Sequence, residues 1–272
     1  MKTSRIKTIV IVILLLVNAF LLVLLLGRRN QQRVAYGHSV EQLSLLLTNN
    51  GIAFDTSLLP EQVFFPAAEP AHDADAEATF ARALLGDDAA ARSTGGGSSV
   101  YESDCGSLQF RANGAIEGTL NLFVSNPIAL CEGIFRSCDY EMDDTAYAHA
   151  LAVSDSGSGT ISALRSVDGL SVFAAPLSLT FENHTLVAVS GSFLSNVSAL
   201  KTEHGTDAIS ALVRFLDYRN SNGLVCTQIT SLDCGYLLQS SATGAKLVPA
   251  WQIATDVSEY YVNSATGEIT RE

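Results

Sequence analysis

Residues 107–124 read SLQFRANGAIEGTLNLFV, two strand-like segments on either side of Asn113-Gly114. Apolar and polar residues alternate along both segments, as in strands that bury one face. An Asn-Gly step between two such segments is the strongest short-range signal for a β-hairpin. The stretch therefore predicts a pair of antiparallel strands at residues 107–111 and 115–124.

The same alternation continues in the second half of the chain. A second hairpin is predicted between residues 171–180 and 186–194, across Glu182-Asn183-His184. Residues 93–99, Ser-Thr-Gly-Gly-Gly-Ser-Ser, are predicted to form a flexible loop, because no Lys-Ser/Thr follows to complete a phosphate-binding turn. Further strands are predicted at residues 225–229, 235–239, 246–253 and 260–262.

Helices are predicted where apolar residues recur every three or four positions. The clearest spans residues 206–218, where Ile209, Leu212, Val213 and Leu216 fall on one face. Residues 140–151 are predicted to be a mixed, acidic connection. Other helices are predicted at residues 39–47 with Ser39 as the cap, 76–85 and 128–135. Helices segregated from antiparallel strands indicate an α+β fold.

Residues 154–159 are polar and rich in Gly, and they predict a boundary between two small lobes. The predicted organisation is a membrane anchor with basic flanks at residues 1–33, a first α+β lobe at 34–153 and a second α+β lobe at 154–272. Each lobe is predicted to pack helices on antiparallel strands.

An apolar run of 18 residues from Ile9 to Leu26 contains one polar residue, Asn18. As a helix this run would be about 27 Å long, close to the hydrocarbon thickness of about 30 Å, and it predicts a single transmembrane helix. A cleaved signal peptide is the alternative, because Lys2, Arg5 and Lys7 precede the run. The anchor is favoured, since a signal peptide usually has an apolar core of about 7–15 residues and a small-residue cleavage site.

The orientation of this helix is predicted from the position of the folded part. Basic residues flank both ends of the run equally, so local charge does not choose. Long domains translocate largely regardless of charge, and the folded part follows Leu26. We expect a cell-membrane protein with a cytoplasmic amino terminus and an extracytoplasmic main domain.

The charge of the predicted main domain excludes one class of partner. Residues 34–272 contain 10 basic and 28 acidic residues, a formal charge of −18. Such a surface repels nucleic acid and anionic lipid headgroups, so no nucleic-acid partner is predicted.

Sequence patterns for catalysis or metal binding are not found. The five histidines are scattered, and the sequence has no HExxH, no GxSxG and no GxGxxG after a strand. The doublet Asp143-Asp144 lacks the further oxygens that calcium needs, and the spacings of Cys131 with Cys138 and of Cys226 with Cys234 do not match zinc sites. No enzyme, cofactor or metal site is predicted. The second cysteine pair is left as a disulfide between adjacent strands or as free thiols.

Two segments carry a family resemblance. The first runs from Ser4 to Ile9 into the apolar run, with Asn18 and then Phe20-Leu21-Leu22. The second contains Leu247-Val248-Pro249-Ala250-Trp251, then Tyr260-Tyr261-Val262-Asn263 and Thr266-Gly267-Glu268-Ile269. Together they resemble the YycI group of two-component-system regulatory proteins and, more loosely, the companion YycH proteins. The second segment is also similar to a PepSY-type hairpin.

The resemblance implies a single-pass protein whose transmembrane helix and outer domain contact a sensor histidine kinase that controls cell-wall metabolism, and tune its signalling. A YycH-type companion protein is a further implied partner. Asn18 and Phe20 are the expected transmembrane contacts, although Asn18 fits equally a tolerated amide that faces lipid. The alternative function is an extracytoplasmic PepSY-like binding or protease-inhibitory module.

The terminal hairpin also has a physical explanation of its own. Trp251 and Tyr261 are predicted to pack together on one face of adjacent strands, and Gly267 to supply a positive φ in the turn. The predicted structural residues of the hairpin are Pro249, Trp251, Tyr260, Tyr261 and Gly267.

Overall fold

The structure is a computed structural model that describes residues 36–60, 68–70, 73–199, 205–241 and 244–271. The predicted transmembrane run, with Asn18 and Phe20, lies outside these residues. Within the described ranges, no helix is both long and apolar enough to cross a membrane. The chain divides into two compact units, one ending at Ser57 and one beginning at Leu58.

The described part of the first unit is mainly helix α1, residues 36–49. Leu43 and Leu47, four positions apart, are buried. The helix ends where Gly51 takes a φ of 74° and the Ile52 N–H donates to the Leu47 carbonyl over 3.0 Å. The helix and its end agree with the sequence, but the predicted cap at Ser39 is wrong because residues 36–38 are already helical. A short 3-10 turn, Thr56–Leu58, follows.

The second unit combines helices with one connected set of strands, and its bounds are as follows. The helices are α2 (Ala74–Leu85), α3 (Pro127–Ser137), α4 (Asp144–Ser156) and α5 (Ala208–Ser221). The strands are β1 (Ala68–Pro70), β2 (Ala90–Gly95), β3 (Ser98–Ser103), β4 (Gly106–Phe110), β5 (Ala115–Phe123), β6 (Tyr140–Glu141), β7 (Gly159–Val167), β8 (Leu170–Phe173), β9 (Leu177–Glu182), β10 (Thr185–Ser192), β11 (Val197–Ala199), β12 (Ile229–Ser241), β13 (Gly244–Thr255), β14 (Glu259–Asn263) and β15 (Ile269–Arg271).

The strands form two sheets that share β7. The first sheet has the order β2-β3-β4-β5-β10-β9-β7 and is antiparallel throughout. The second contains β8, β12 and β13, with β1 and β14 both along the outer edge of β13. Its β8–β12 pair is parallel, whereas β12–β13 is antiparallel. The predicted α+β class is confirmed, but the sheet is mixed rather than purely antiparallel.

The main core lies between the first sheet and helices α2, α3 and α4. The Phe80 ring of α2 lies 6.1 Å from the Phe110 ring of β4 and 4.9 Å from the Phe193 ring. Alternation along the strands places hydroxyl groups on the opposite face, where the Ser162 and Ser178 oxygens lie 2.8 Å apart. Apolar residues therefore alternate with polar ones as the sequence predicts.

Helices α2 to α5 each begin at an Asp or Asn that caps the first turn. The cap carboxylates of Asp73, Asp143 and Asp207 and the side-chain carbonyl of Asn126 accept hydrogen bonds from backbone N–H groups of the first turn. These donors have no partner within the helix, so the caps satisfy them and fix where the helices start.

Both predicted hairpins are present, with changes in their bounds. Strands β4 and β5 are joined at Asn113-Gly114, where Gly114 has a φ of 81°. Strands β9 and β10 are joined at Asn183-His184, both at positive φ. The predicted strand 171–180 is instead two strands, β8 and β9, of which β8 pairs with β7 and β12.

Two predictions about connections are wrong. Residues 93–95 and 98–99 belong to strands β2 and β3, and only Gly96-Gly97 form the turn between them. Residues 144–151 are not a connection but part of helix α4. The predicted boundary at 153/154 stays a prediction, although strands from both sides of it, β5 and β10, pair in one sheet.

Candidate functional site

A cleft of about 690 Å³ opens beside the carboxyl end of helix α3, next to β6, the first turns of α4 and the end of β7. We name it the α3–α4 cleft. Its charged lining residues are Glu132, Arg136, Asp139, Glu141, Arg165 and Asp168.

Arg165 of β7 is the buried charge of the cleft, with only 8% of its surface exposed. Its guanidinium donates to the Cys138 carbonyl oxygen, forms an ion pair with the Asp139 carboxylate at 3.2 Å and lies 5.8 Å from the centre of the Tyr140 ring. The Nε atom is buried and has no acceptor among the described residues. The cleft wall therefore contains a buried guanidinium group that makes a hydrogen bond and an ion pair but leaves one donor, Nε, without an acceptor among the described residues.

Asp139 and Tyr140 owe their positions to a tight reversal after helix α3. Asp139 has a φ of 55°, and its carbonyl accepts from the Ser166 N–H over 3.1 Å. The reversal pairs Tyr140 of β6 directly with Arg165 of β7. A non-glycine residue at positive φ persists only where the surrounding contacts hold it.

The Tyr140 hydroxyl is a structural hydrogen-bonding group. It donates to the Ser192 carbonyl over 2.6 Å and accepts from the Leu194 N–H over 2.9 Å. Burial raises the pKa of Tyr140, so the hydroxyl stays protonated and remains a donor. This residue anchors the cleft wall to the chain that follows β10.

The two cysteines of helix α3 and its cap are not activated thiols. Cys131 is fully buried, and desolvation raises the pKa of its thiol to about 12. Burial also raises the pKa of Cys138. A thiol acts as a nucleophile or metal ligand as its thiolate, so both are poorly suited to such chemistry at neutral pH.

Helix α4 presents an apolar ridge beside the cleft. Tyr147 and Leu151, four positions apart, are 39% and 58% exposed. Ala146, Ala150 and Val153 are buried on another face of the helix. We name the exposed pair the α4 ridge. Tyr147 also lines the cleft, so the ridge and the cleft form one continuous surface.

The charge of this surface is negative. Four carboxylates and two guanidinium groups line the cleft, and one guanidinium, that of Arg165, is already paired with Asp139. Three carboxylates therefore face a single remaining cation, Arg136. A cleft with such a rim and an adjacent apolar ridge suits a basic, partly apolar protein segment.

The described residues contain no candidate metal site. No set of three or more His, Cys, Asp or Glu side chains converges there as a metal site. The cysteines Cys226 and Cys234, left open by the sequence, are free thiols in the structure.

The predicted hairpin residue Trp251 lies in the core of the second sheet. Its Nε1–H donates to the Thr206 carbonyl over 2.7 Å. Trp251 pairs with Val262 across β13 and β14, whereas Tyr261 pairs with Gln252. Successive strand residues point to opposite faces, so the predicted packing of Trp251 on Tyr261 is wrong.

Tyr260 and Tyr261 lie on opposite faces of β14. The Tyr260 ring lies 5.0 Å from Phe215 of helix α5. The Tyr261 ring lies 5.6 Å from Phe173 of β8, and its hydroxyl donates to the Glu259 carboxylate over 3.0 Å. Both side chains are buried, so their placement is structural.

Pro249 occupies a point of β13 that needs no backbone donor. Its carbonyl accepts from the Ser264 N–H over 2.8 Å, so its nitrogen also faces the edge away from β12. Along that edge β1 pairs at Leu247 and β14 begins pairing at Ala250. Pro249 lies between the two, where its missing N–H breaks no ladder.

Gly267 supplies the turn between β14 and β15. It has a φ of 75°, and its N–H donates to the Asn263 carbonyl over 2.7 Å. The Asn263 side-chain oxygen accepts from the N–H groups of Ala265 and Thr266. Pro249, Trp251, Tyr260, Tyr261 and Gly267 therefore share one region of the fold, but none of them lines the α3–α4 cleft.

Comparisons with known proteins give distant structural similarities. No protein-family model and no curated protein matches the chain. One similar solved structure is an uncharacterized protein from Eubacterium rectale, at 11% identity and a TM-score of 0.46, covering 77% of this chain and 86% of that one. Another is YycH from Bacillus subtilis, at 12% identity and a TM-score of 0.38. The match covers 79% of this chain and spans about half, 52%, of YycH.

The sequence did not point to the α3–α4 cleft. Arg165 lies in β7, where the sequence predicts no strand, and Tyr140 lies in a segment that the sequence predicts to be a connection. One available signal was Asp143, which precedes an alanine-rich stretch and accepts from the Ala146 N–H over 2.7 Å as the cap of α4. Asp followed by good helix formers is a helix start, and that prediction would have brought Tyr147 to the surface beside α3.

Proposed function

We propose that the chain is a membrane-anchored, non-catalytic regulatory protein that docks onto the extracytoplasmic part of a sensor histidine kinase. The observation that carries this proposal is the α3–α4 cleft, a negatively charged groove continuous with the exposed apolar ridge of helix α4. Protein interfaces combine an apolar centre with a polar, charged rim, and this surface offers both.

The sequence supports the membrane part of the proposal. The apolar run that contains Asn18 and Phe20 has the length of a membrane span, and its surroundings resemble the opening segment of YycI proteins. Such a helix, inserted with a cytoplasmic amino terminus, holds the acidic main domain on the outer side of the cell membrane. A YycH-type protein is proposed as a companion in the same complex.

The proposed mechanism is a shift between two kinase states. A docked protein changes a kinase equilibrium only by the difference in its binding free energy for the two states. Contacts made by the α4 ridge in one state and lost in the other provide that difference. The transmembrane helix keeps the two proteins in the same membrane and raises their effective concentration.

The test is capture of the sensor histidine kinases encoded near this gene by the full-length chain in detergent. Leu151→Glu places a charge on the more exposed residue of the α4 ridge, and we expect it to reduce capture at least tenfold. Val257→Glu is the matched control, because Val257 is 59% exposed and does not line the cleft. Capture that is equal for both variants and for the unchanged chain refutes docking at this surface.

A second variant separates the helix from the outer domain. Asn18→Leu removes the polar group of the predicted transmembrane helix, and we expect it to weaken capture by several fold while leaving the outer surface intact. If neither Asn18→Leu nor Leu151→Glu changes kinase capture, a soluble fragment that slows a secreted protease without a kinase would favour the inhibitory alternative.

A further inference from the structure

The α3–α4 cleft brings together unpaired charges of both signs. Four of its charged lining residues make no ion pair with another described residue, namely Glu132, Arg136, Glu141 and Asp168. All four line one concave site of about 690 Å³. Sites for small molecules typically have volumes of about 300–1,000 Å³. The cleft therefore has the size of a small-molecule site and charges that a ligand can pair.

Arg165 indicates one of the charges of such a ligand. Its side chain lines the cleft and is 8% exposed, and its Nε donor has no acceptor among the described residues. The Asp139 carboxylate pairs with the neighbouring Nη2 at 3.2 Å, and 75% of the Asp139 side chain is exposed. A carboxylate can accept from two N–H groups of one guanidinium at once. A ligand carboxylate in the place of Asp139 therefore supplies the acceptor that Nε lacks.

The rest of the lining requires positive charge on the ligand. Four carboxylates and two guanidinium groups give the lining a formal charge of −2. A simple anion is repelled by the unpaired carboxylates of Glu132, Glu141 and Asp168. A simple cation leaves the Nε donor of Arg165 without an acceptor. A diamino acid satisfies both conditions, because it has one carboxylate and two ammonium groups at neutral pH.

Apolar lining residues suit the alkyl chain of a diamino acid. Met142 and Val197 contribute apolar surface to the cleft, and Tyr147 contributes a ring that is 39% exposed. The methylene groups of a lysine side chain pack against apolar surface while the ammonium group stays with polar partners. An ammonium group is also attracted to the face of an aromatic ring.

We propose that the α3–α4 cleft binds a free basic α-amino acid of the lysine type. Its carboxylate binds the Arg165 guanidinium in place of Asp139, and its ammonium groups pair with the unpaired carboxylates of the lining. Displacing Asp139 costs little, because an exposed ion pair contributes little free energy. The site is independent of kinase docking. Only its regulatory consequence, competition with a docked basic segment, rests on the proposed function.

Equilibrium dialysis of radiolabelled L-lysine against the full-length chain in detergent measures this binding. Two unlabelled competitors test the chemistry, since L-norleucine lacks the side-chain ammonium group and cadaverine lacks the carboxylate. We expect saturable binding of L-lysine and competition by either compound that is weaker than that of L-lysine by about tenfold or more. No saturable binding of L-lysine, or equal competition by the three compounds, overturns the proposal.

Glu141→Gln tests the carboxylates of the lining. It removes one unpaired carboxylate, and we expect it to weaken L-lysine binding about tenfold. The matched control is Glu102→Gln, which removes a carboxylate of β3 outside the cleft and should leave binding unchanged. Both positions are exposed, so neither change disturbs the core. Equal affinity of the two variants for L-lysine overturns the proposal.

Asp139→Asn tests the place of the ligand carboxylate. The change removes the group that competes with the ligand for Arg165, so we expect L-lysine to bind several fold more tightly. A cleft that attracts L-lysine by negative charge alone would bind it more weakly after the loss of a carboxylate. Weaker or unchanged binding therefore overturns the assignment to Arg165. Because the assay contains no kinase, its failure is separate from a failure of kinase capture through the α4 ridge.

Discussion

The carboxyl-terminal strands bury aromatic side chains, whereas the α3–α4 cleft buries a charged side chain, that of Arg165. Around β13 and β14, Trp251 and Tyr260 fill a core whose polar groups find partners, such as the Thr206 carbonyl. In the cleft, Arg165 is buried with an Nε atom that has no acceptor among the described residues. A buried aromatic group stabilises by the area it removes from water, whereas a buried cation costs free energy unless it is well paired.

This difference separates a region that serves stability from one that is available for binding. Four changes, ordered by their expected effect on the free energy of unfolding, test that separation.

The largest loss of stability is expected for Trp251→Ala. Trp251 is 2% exposed, and its removal leaves a large cavity in the second sheet. We expect the free energy of unfolding to fall by about 3–5 kcal/mol. Urea denaturation monitored by far-ultraviolet circular dichroism measures this free energy. Tryptophan fluorescence is not suitable, because the chain has a single tryptophan and the change removes it.

The matched control is Trp251→Phe, which keeps an aromatic ring and removes the donor to the Thr206 carbonyl. Its loss should be clearly smaller than that of the alanine variant. Equal losses would mean that the hydrogen bond, not ring packing, dominates at this position.

A smaller loss is expected for Arg165→Met, which keeps the length of the side chain. The change removes the hydrogen bond to the Cys138 carbonyl and the ion pair to Asp139. We expect about 2–3 kcal/mol, measured by the same denaturation. The control, Asp139→Asn, should cost about 1 kcal/mol or less, because that side chain is 75% exposed and its pairing is screened by water. A more stable Arg165→Met protein would contradict a structural role for this cation.

Tyr140→Phe removes one hydroxyl from the wall of the cleft. The Leu194 N–H then loses its acceptor and the Ser192 carbonyl its donor. We expect a loss of about 1–2 kcal/mol in the free energy of unfolding. Tyr147→Phe, at an exposed position of the same cleft, is the control and should leave stability unchanged within error. Equal effects of the two changes would show that burial of the Tyr140 hydroxyl has no energetic importance.

The smallest effect on stability is expected for Leu151→Glu. Surface changes away from special contacts usually lie within about 0.5 kcal/mol. The same variant is expected to have the largest effect on kinase capture, and this contrast between stability and binding distinguishes a docking ridge from core. A large destabilisation would assign Leu151 to the fold instead.

Much of the fold follows from local patterns in the sequence. The Asn113-Gly114 step predicts the β4–β5 hairpin because the turn is local: the Gly114 N–H donates to the Arg111 carbonyl, and Gly114 takes the positive φ. Helix α5 follows from the spacing of Ile209, Leu212 and Leu216. In both cases the information lies within a few positions of the chain, and no distant partner is needed to interpret it.

The cleft was not predicted because its parts are joined by register rather than by spacing. Tyr140 meets Arg165 only after β6 pairs with β7, and the sequence between them contains a whole helix. A short strand of two residues has no periodicity of its own. The predicted face of Tyr261 is wrong for the same reason, because that face depends on the pairing of Tyr261 with Gln252.

Strand β7 has a consequence for how this unit comes apart. Residues 159–163 bond to β9, residues 164–165 to β6 and residues 166–167 to β8, so one strand holds both sheets. Neither sheet can peel away without breaking the ladder of that strand, and the loss of one exposes the edge of the other. Denaturation of residues 58–272 is therefore expected to be cooperative, with one transition seen alike by tyrosine absorbance and by backbone dichroism.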